Sequence, residues 1–365
     1  MRQAGAERVV VGMSGGVDSS VAAALLVERG YEVVGITLRV WPWREQEEAS
    51  KRFGSCCSSE TVEDARQVAR RLGIAYYLLN HEREFDRTVV ANFTREYLAG
   101  RTPSPCVICN RDVKFGTLLR RALAWEALAV ATGHYARISR DPATGRYLLW
   151  KGKDAQKDQS DFLWPLSQSQ LAAARFPVGE LTKEEVRARA RDLGLAVADK
   201  PESQEICFIP DDDYRDFLRN RIPAAFVAGP IVDRRGQVLG THRGIGAYTV
   251  GQRRGLGISA DRPLYVLAVE PERNAVVVGE GAETEHDRLV ATEANFFPFD
   301  ELDGEIAVAA KIRHRHTPAP ATIRPLGPDR VEVLFETAQR AITPGQSVVF
   351  YRDDQVIGGA IVAKA

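Results

Sequence analysis

What this sequence lacks narrows it before any motif does. It has no excess of charge, because 49 Lys and Arg balance 49 Asp and Glu. That excludes a global electrostatic pull on nucleic acid, so any such contact must rest on a local basic patch. No apolar run approaches the roughly 20 residues that a membrane-spanning helix needs. The N-terminus offers no secretory h-region either, since Arg2, Glu7 and Arg8 interrupt it. A cytoplasmic location is the expectation. Cysteine is scarce at five residues, and in a reducing compartment so few are not a disulfide framework. They need a chemical reason. What the chain does have is core. Of its 365 residues 44% are hydrophobic, and the length predicts two or three domains.

The stretch around which the chain is organised is Val9-Val10-Val11-Gly12-Met13-Ser14-Gly15-Gly16-Val17-Asp18-Ser19-Ser20. A β-branched run enters a glycine pair, and a helix-competent segment from Asp18 to Arg29 follows. Gly15 and Gly16 let the backbone approach an anion closely and adopt positive φ without a Cβ penalty. Successive N–H groups in such a loop form a nest, to which the helix adds its positive N-terminal end. Ser14, Ser19 and Ser20 add hydroxyls, and Asp18 is a carboxylate suited to holding Mg²⁺ on phosphate oxygens. No Gly-Lys-Ser/Thr closes the loop, so it is not a Walker A motif. It resembles the Ser-Gly-Gly-x-Asp-Ser signature of the pyrophosphate-loop ATPases. Those enzymes cleave ATP between the α- and β-phosphates and adenylate a carbonyl oxygen.

Along the chain, strands alternate with helices. Glu32–Leu38 reads as a strand, and Gly30 is placed to cap the helix before it. Trp41-Pro42-Trp43 through Ser55 is a polar excursion with poor periodicity. A helix opens at Ser58-Ser59 and ends at Gly73, and Ile74–Leu79 makes a third strand. Helices are expected over Glu84–Leu98 and Val107–Ala127, separated by the proline-bearing loop Arg101–Pro105. The strand Ala129–Ala131 and the turn Thr132-Gly133-His134 follow. This alternation predicts an α/β domain with a doubly wound, mostly parallel sheet. Ligands in such sheets sit at the carboxyl ends of the strands, where the Ser14–Ser20 loop, Leu38 and Gly133 all fall. Arg137–Lys151 reads as a hairpin turning at Asp141–Gly145. Lys157-Asp158-Gln159-Ser160 is expected to open a helical region running to Ala174. Thr182-Lys183-Glu184-Glu185 is a capping box for a helix ending near Gly194. Beyond Pro210 short β runs broken by glycines take over, and from about Asp287 the pattern alternates as in a small β-barrel. The expected domains are residues 1–211, a small central β-rich domain at 212–283, and a C-terminal barrel at 284–365.

Pro105-Cys106-Val107-Ile108-Cys109-Asn110 holds a C-x-x-C, and Cys207 lies far along the chain. A C-x-x-C at a helix start lowers thiol pKa and raises the thiolate fraction needed for attack or ligation. The residues alone leave three readings open. They are reactive thiols, a metal or iron–sulfur site completed by Cys207 and by Cys56 or Cys57, or inert buried sulfur. Cys56-Cys57 is read as incidental.

Seven blocks in this order carry a full-length resemblance. They are Ser14–Ser19, Cys109-Asn110-Arg111-Asp112-Val113-Lys114-Phe115, Ala131-Thr132-Gly133-His134-Tyr135, Lys157–Ser160, Glu205-Ile206-Cys207-Phe208-Ile209, Tyr248–Gly255 and Pro344-Gly345-Gln346-Ser347. Together they resemble the bacterial tRNA-specific 2-thiouridylases of the MnmA type. The resemblance implies that ATP with Mg²⁺ adenylates the C2 carbonyl oxygen of the wobble uridine in tRNA(Lys), tRNA(Glu) and tRNA(Gln). Cys207 would carry sulfur as a persulfide, delivered by a sulfur-relay protein or cysteine desulfurase, and Cys109 would be the nucleophile that releases it. The two cysteines would finish as a disulfide. Gly12, Met13, Ser14, Gly15, Gly16, Val17, Asp18, Ser19, Leu38 and Gly133 match the ATP site. Ser104, Pro105, Cys106, His134, Lys157, Asp158, Gln159, Arg313, His314 and Gln346 match positions that meet tRNA. The run Lys311-Ile312-Arg313-His314-Arg315-His316 is the clearest local basic patch, suited to phosphate contacts that position a stem without reading sequence. Arg253 and Arg254 are weaker additions to it.

One departure stands out. Many relatives of this type have Asp where this chain has Cys106. The resemblance gives that Asp general acid/base work, so either another group manages the proton here, or Cys106, Cys109 and Cys207 hold an iron–sulfur cluster that carries sulfide on its free iron. Two other classes compete. A small-molecule pyrophosphate-loop ligase or amidotransferase needs neither Cys109 nor Cys207. A non-catalytic tRNA binder needs neither an intact Asp18 nor the cysteines.

Overall fold

The computed structural model describes residues 6–41, 59–201, 206–209 and 213–364. Cys56, Cys57, Glu205 and nearly all of the Trp41–Ser55 excursion lie outside them. The chain divides into two compact units. The first comprises Met1–Val89, Cys106–Asp212 and Asp354–Val356, and the second Val90–Pro105, Asp213–Asp353 and Ile357–Ala365.

The first unit is built on a five-stranded parallel sheet in the order β3-β2-β1-β4-β7. Its strands are β1 (Arg8–Gly12), β2 (Glu32–Arg39), β3 (Ala75–Asn80), β4 (Ala129–Ala131) and β7 (Ala174–Arg175). Val9, Val10 and Val11 are fully buried, as expected for the middle strand of a sheet covered on both faces. Helix α1 (Val17–Glu28) returns the chain from β1 to β2, and α2 (Ser59–Leu72) precedes β3. Both winds run to one side of β1, and the chain then returns to β4 on the other. The switch point therefore lies between β1 and β4 at their carboxyl ends. The hairpin β5 (Ala136–Arg140) with β6 (Tyr147–Lys151) turns where the sequence placed it, and Gln355 and Val356 pair with Trp150 and Leu149. The predicted α/β parallel sheet is present.

Several elements differ from their expected form. The expected helix over Val107–Ala127 is three pieces, Pro105–Ile108, a π-helical Cys109–Leu118 and Leu119–Ala124. Glu84–Leu98 likewise contains a π-helical Asp86–Val90. The region from Lys157 to Ala174 is not one helix. Pro165 breaks it, Ser167 caps a separate short helix Gln168–Ala172, and Ala174–Arg175 leaves to become β7. Thr182 and Glu185 do form their capping box, at the head of a helix over Lys183–Asp192.

The second unit contains helix α3 (Ala91–Leu98), a four-stranded sheet and a barrel. The sheet runs β10 (Tyr265–Glu270), β11 (Ala275–Gly279), β8 (Gly229–Val232) and β9 (Val238–His242). The lysine-led helix of the first unit is α4 (Lys183–Asp192), and the second unit adds α5 (Tyr214–Arg221), which the sequence reading did not expect. Asp213 caps α5 by accepting from the Arg215 and Asp216 N–H groups. Phe93 meets Phe217 edge-on and Tyr97 stacks on Tyr214, which ties α3 to α5. The tail closes into a six-stranded barrel in the order β12-β15-β14-β13-β16-β17, and β12 pairs back with β17. Its strands are β12 (Glu285–Phe296), β13 (Ile306–Lys311), β14 (Ala319–Gly327), β15 (Arg330–Arg340), β16 (Ser347–Arg352) and β17 (Gln355–Lys364). Closure leaves no open edge. Phe350 is fully buried in the barrel interior, stacked on Phe296. Phe350→Ala should lower unfolding stability by about 3–5 kcal/mol, read from the midpoint of the barrel transition in urea. An unchanged midpoint would remove Phe350 from the core.

Candidate active site

The glycine loop sits at the carboxyl end of β1, and its shape is held from below. Met13 N–H donates to Ile36 O at 2.8 Å, and Thr37 Oγ1 donates to Met13 O at 2.7 Å. Ser14 N–H donates to Ser19 Oγ at 3.1 Å, while the Ser19 and Ser20 hydroxyls donate to Gly16 O. Gly15 has φ of +72°, and a Cβ on it would lie 2.1 Å from Thr61 O in α2. Only glycine fits there. Gly133, at the end of β4, is equally constrained, since a Cβ on it would lie 2.6 Å from both Asp18 C and Ser19 N. So the β4 turn rests directly on the first turn of α1. Gly16 is the N-cap of α1 and offers no side-chain acceptor, so among the described residues no side chain caps the first amides of the helix. Open amides on a glycine loop at a switch point are a site for anionic oxygen. Leu38 lies at the carboxyl end of the neighbouring β2.

Asp18 is the acid of that first turn. Both its oxygens accept from Lys183 Nζ, at 2.7 and 2.8 Å, and Oδ1 also accepts from Tyr135 Oη at 2.7 Å. A hard divalent cation suits such a carboxylate, provided that Lys183 gives way. Neither Lys183 nor Tyr135 was singled out in the sequence, although both sit inside motifs quoted there.

Cys106 is exposed, and Cys109 is partly buried at the first position of the π-helix. A π-helix leaves carbonyls out of the α-helical ladder and is common at functional sites. Here Gln170 Nε2 donates to both Arg111 O and Phe115 O, each at 2.9 Å, and Gly116 packs tightly on Arg111 O. Asn110, buried beside Cys109, donates through Nδ2 to Phe162 O at 3.1 Å. Its Oδ1 has no partner among the described residues. Cys207 lies in the described segment Ile206–Ile209, partly buried. The next residue, Phe208, is buried against Phe85 and Trp41 with ring centroids 5.4 and 6.3 Å away, which anchors the cysteine.

All three of these cysteines are among the described residues, yet no group of three or more His, Cys, Asp or Glu there is disposed to hold a metal ion. The arrangement of Cys106, Cys109 and Cys207 therefore gives no support to an iron–sulfur cluster.

Other expected contact residues are mostly engaged inside the protein. His134 is buried between Phe115 and Phe176, and its Nδ1 lies 2.6 Å from Thr132 Oγ1. Burial, followed by the charge of Lys114, pushes its pKa well below the usual 6.5, so the ring is neutral near pH 7. Asp158 accepts from Gly152 N–H, Ser160 N–H and Ser160 Oγ, and burial raises its carboxyl above the ordinary range. Gln159 Oε1 accepts from Tyr135 N–H at 3.1 Å. The Lys157–Gln159 stretch thus pins the segment that carries His134 and Tyr135.

In the second unit, Gln346 Nε2 donates to Thr102 O at 2.8 Å and to Pro103 O at 3.3 Å. Thr102 N–H donates to Pro344 O, and Gly345 at φ +90° packs on Thr102. The Pro344–Gln346 turn therefore clamps the loop carrying Ser104 and Pro105. Of the basic run, Lys311 and Ile312 are buried, His316 is half-buried, and Arg313, His314 and Arg315 are exposed. The surface charge of the run is narrower than the sequence suggested. Arg313 NH1 also donates to Arg340 O at 3.1 Å.

Among the described residues no helix is long and apolar enough to cross a membrane. Three family models cover most of the chain. A tRNA methyl transferase HUP domain matches residues 7–211, a tRNA methyl transferase PRC-barrel domain residues 215–280, and an aminomethyltransferase β-barrel domain residues 286–362. Curated relatives match end to end. The tRNA-specific 2-thiouridylase MnmA of Heliobacterium modesticaldum is 53% identical over 98% of this chain and 93% of its own length. Its namesake in Carboxydothermus hydrogenoformans is 49% identical over 99% and 98%. That of Symbiobacterium thermophilum is 52% identical over 99% and 93%. With this sheet, loop and barrel, the chain belongs to the tRNA-specific 2-thiouridylase family of the MnmA type.

Proposed function

We propose that this chain catalyses ATP-dependent 2-thiolation of a tRNA uridine, at the wobble position of tRNA(Lys), tRNA(Glu) and tRNA(Gln). The observation that carries the reading is one unit holding both halves of the chemistry. An uncapped glycine loop for a triphosphate stands at the switch point of the sheet, and two anchored cysteines, Cys109 and Cys207, belong to the same unit.

The reaction divides into activation and transfer. The uridine C2 oxygen attacks the α-phosphorus of ATP, pyrophosphate leaves, and the oxygen becomes part of an AMP leaving group. The loop from Gly12 to Ser19 binds the phosphates, with Leu38 and Gly133 beside the nucleoside. Mg²⁺ on Asp18 would supply charge neutralisation for the departing pyrophosphate. Cys207 accepts a sulfane sulfur from a relay protein or cysteine desulfurase and becomes a persulfide, a strong nucleophile at neutral pH. The terminal sulfur attacks C2 and displaces AMP. The Cys109 thiolate attacks the inner sulfur of Cys207, breaks the S–S bond to the transferred atom and leaves a Cys109–Cys207 disulfide. A dithiol reductant restores both thiols. His134, neutral and buried, serves as a hydrogen-bonding strut and not as a proton donor. Arg313, His314 and Arg315 form the exposed basic patch that meets tRNA phosphates, and the reaction takes place in the cytoplasm.

Pyrophosphate release with and without tRNA tests the reading. Release that depends on tRNA supports it. Release driven by a small metabolite would favour a ligase, and none at all would favour a passive tRNA binder. Cys207→Ser should abolish 2-thiouridine formation while tRNA-dependent pyrophosphate release continues; thiolation at the wild-type rate would take Cys207 out of the mechanism. Arg313→Ala should weaken tRNA binding and reduce the slope of log K against log salt by about 1, with ATP affinity unchanged. An unaltered slope would count against a phosphate contact. The depressed pKa of His134 predicts an acid response as well. Stability from its neutral form is complete above the unfolded value of 6.5 and is lost as pH falls below it toward the folded value. Melting temperature should therefore drop between about pH 7 and about pH 5, and less so in His134→Asn. Equal drops in the two proteins would contradict this.

A further inference from the structure

The reaction proposed above uses Cys109 and Cys207, and the same unit also holds Cys106. The three differ in access: Cys109 and Cys207 are partly buried, whereas Cys106 is exposed. Cysteine is among the residue types most often buried, so an exposed one three positions before a reactive thiol calls for a chemical reason. Inert packed sulfur does not describe it, and the arrangement gives no support to a cluster. Its place is set by the backbone. Cys106 is the second residue of the helix Pro105–Ile108, and Cys109 opens the π-helical stretch that continues it. Cα atoms three positions apart on an α-helix lie about 5 Å apart, inside the range of about 4.4–6.8 Å that a disulfide bridges. Cys207 is held in another way. It lies in the turn Ile206–Ile209, where Ile209 N–H donates to Ile206 O at 3.0 Å, next to the buried ring of Phe208. The helix thus keeps Cys106 within bridging reach of Cys109, whichever partner Cys207 has.

We propose that Cys106 is the resolving thiol of this site, taking the disulfide over from Cys207 and presenting it to the reductant. This rests on the thiolation reading, in which each turnover ends with a Cys109–Cys207 disulfide. The Cys106 thiolate attacks Cys109 Sγ. A Cys106–Cys109 bond forms, the Cys109–Cys207 bond breaks, and Cys207 leaves with the electron pair and takes up the proton that Cys106 gave. One disulfide replaces another, so this step needs neither oxidant nor reductant. A protein dithiol then attacks the exposed sulfur of Cys106. It supplies the two electrons that return Cys106 and Cys109 to thiols, and its own sulfurs become a disulfide. The exchange does two things. A bulky reductant need not reach a partly buried sulfur, and access governs the rate of such attack. Cys207 also recovers its thiol before reduction, ready for the next sulfane sulfur.

Disulfide mapping of the full-length protein by mass spectrometry tests this directly. Reduced protein is loaded with sulfane sulfur by a cysteine desulfurase and cysteine, and then desalted. It is given tRNA(Lys) and ATP with Mg²⁺ for one turnover, and quenched with N-ethylmaleimide. Wild-type protein should show mainly a Cys106–Cys109 disulfide with Cys207 alkylated, and Cys106→Ser should show Cys109–Cys207 instead. Reduced thioredoxin as the reductant gives a second readout, the ratio of steady-state rate to first-turnover rate. That ratio should be about tenfold lower in Cys106→Ser than in wild type, and dithiothreitol, small enough to reach a partly buried sulfur, should close most of the gap. A wild-type map that leaves Cys106 alkylated or joins it to Cys207 overturns the role, and so do equal ratios with thioredoxin. Wild-type protein that forms 2-thiouridine with no disulfide would overturn the persulfide route. Wild-type protein that forms no 2-thiouridine would overturn the thiolation reading, and in either case this proposal falls with it.

Discussion

The first unit depends on a place where two stretches of backbone nearly touch. Gly133 closes β4 directly over the Asp18–Ser19 peptide, at a distance that leaves no room for a methyl group. On the other side of the loop, Gly15 makes a comparable approach to Thr61 O in α2. These two contacts wedge the loop between the β4 turn and α2, so its amides are fixed before any ligand arrives. The cost of ordering a nest of N–H groups is thus met by folding, which is what preorganised anion binding requires. From the same β4 turn, Tyr135 reaches Asp18 and His134 reaches Thr132. One tight turn thereby fixes Asp18, His134 and the backbone that closes over the loop together.

Local signals in the sequence were the ones that could be read. The Val9–Ser20 order of strand, loop and helix, the Thr182–Glu185 box and the three-residue strand Ala129–Ala131 each announce themselves within a few positions, and each is found. Features made by distant partners could not be read in that way. Ala174–Arg175 is too short to carry a strand pattern and becomes β7 only because β4 offers an edge. Helix α5 is eight residues long and borders a segment whose glycines and short β runs predict strand, although Asp213 caps it locally. The π-helical course of Cys109–Leu118 depends on the amide of Gln170, some 55 residues beyond Phe115. The Lys183–Asp18 pair spans 165 residues, and its lysine was hidden inside a cap signal that was correct in itself.

The tRNA-matching motifs show a further division of labour. Asp158, Gln159 and Gln346 each direct hydrogen bonds at backbone groups, and His134 is buried. A motif can be specific to a family because it holds a contact surface in shape without being that surface. Polar side chains that satisfy buried backbone are as constrained in identity as ligands are, since replacing them leaves an unpaired amide or carbonyl. What faces solvent in the basic run is Arg313, His314 and Arg315, a small patch consistent with a chain of zero net charge.

The π-helix that begins at Cys109 has a consequence for how this segment tolerates changes in length. A π-turn holds one more residue than an α-turn, so the stretch carries extra chain that Gln170 and Gly116 keep in place. Removing a residue between Cys109 and Leu118 would let the α-helical ladder re-form with an intact backbone. The segment would stay helical, yet the wide turn that Gln170 and Gly116 fit would be gone. Cys109 would keep its neighbours in sequence and lose the wide turn that follows it. The width of this one segment is therefore a property that substitutions on either side leave intact and a single deletion erases.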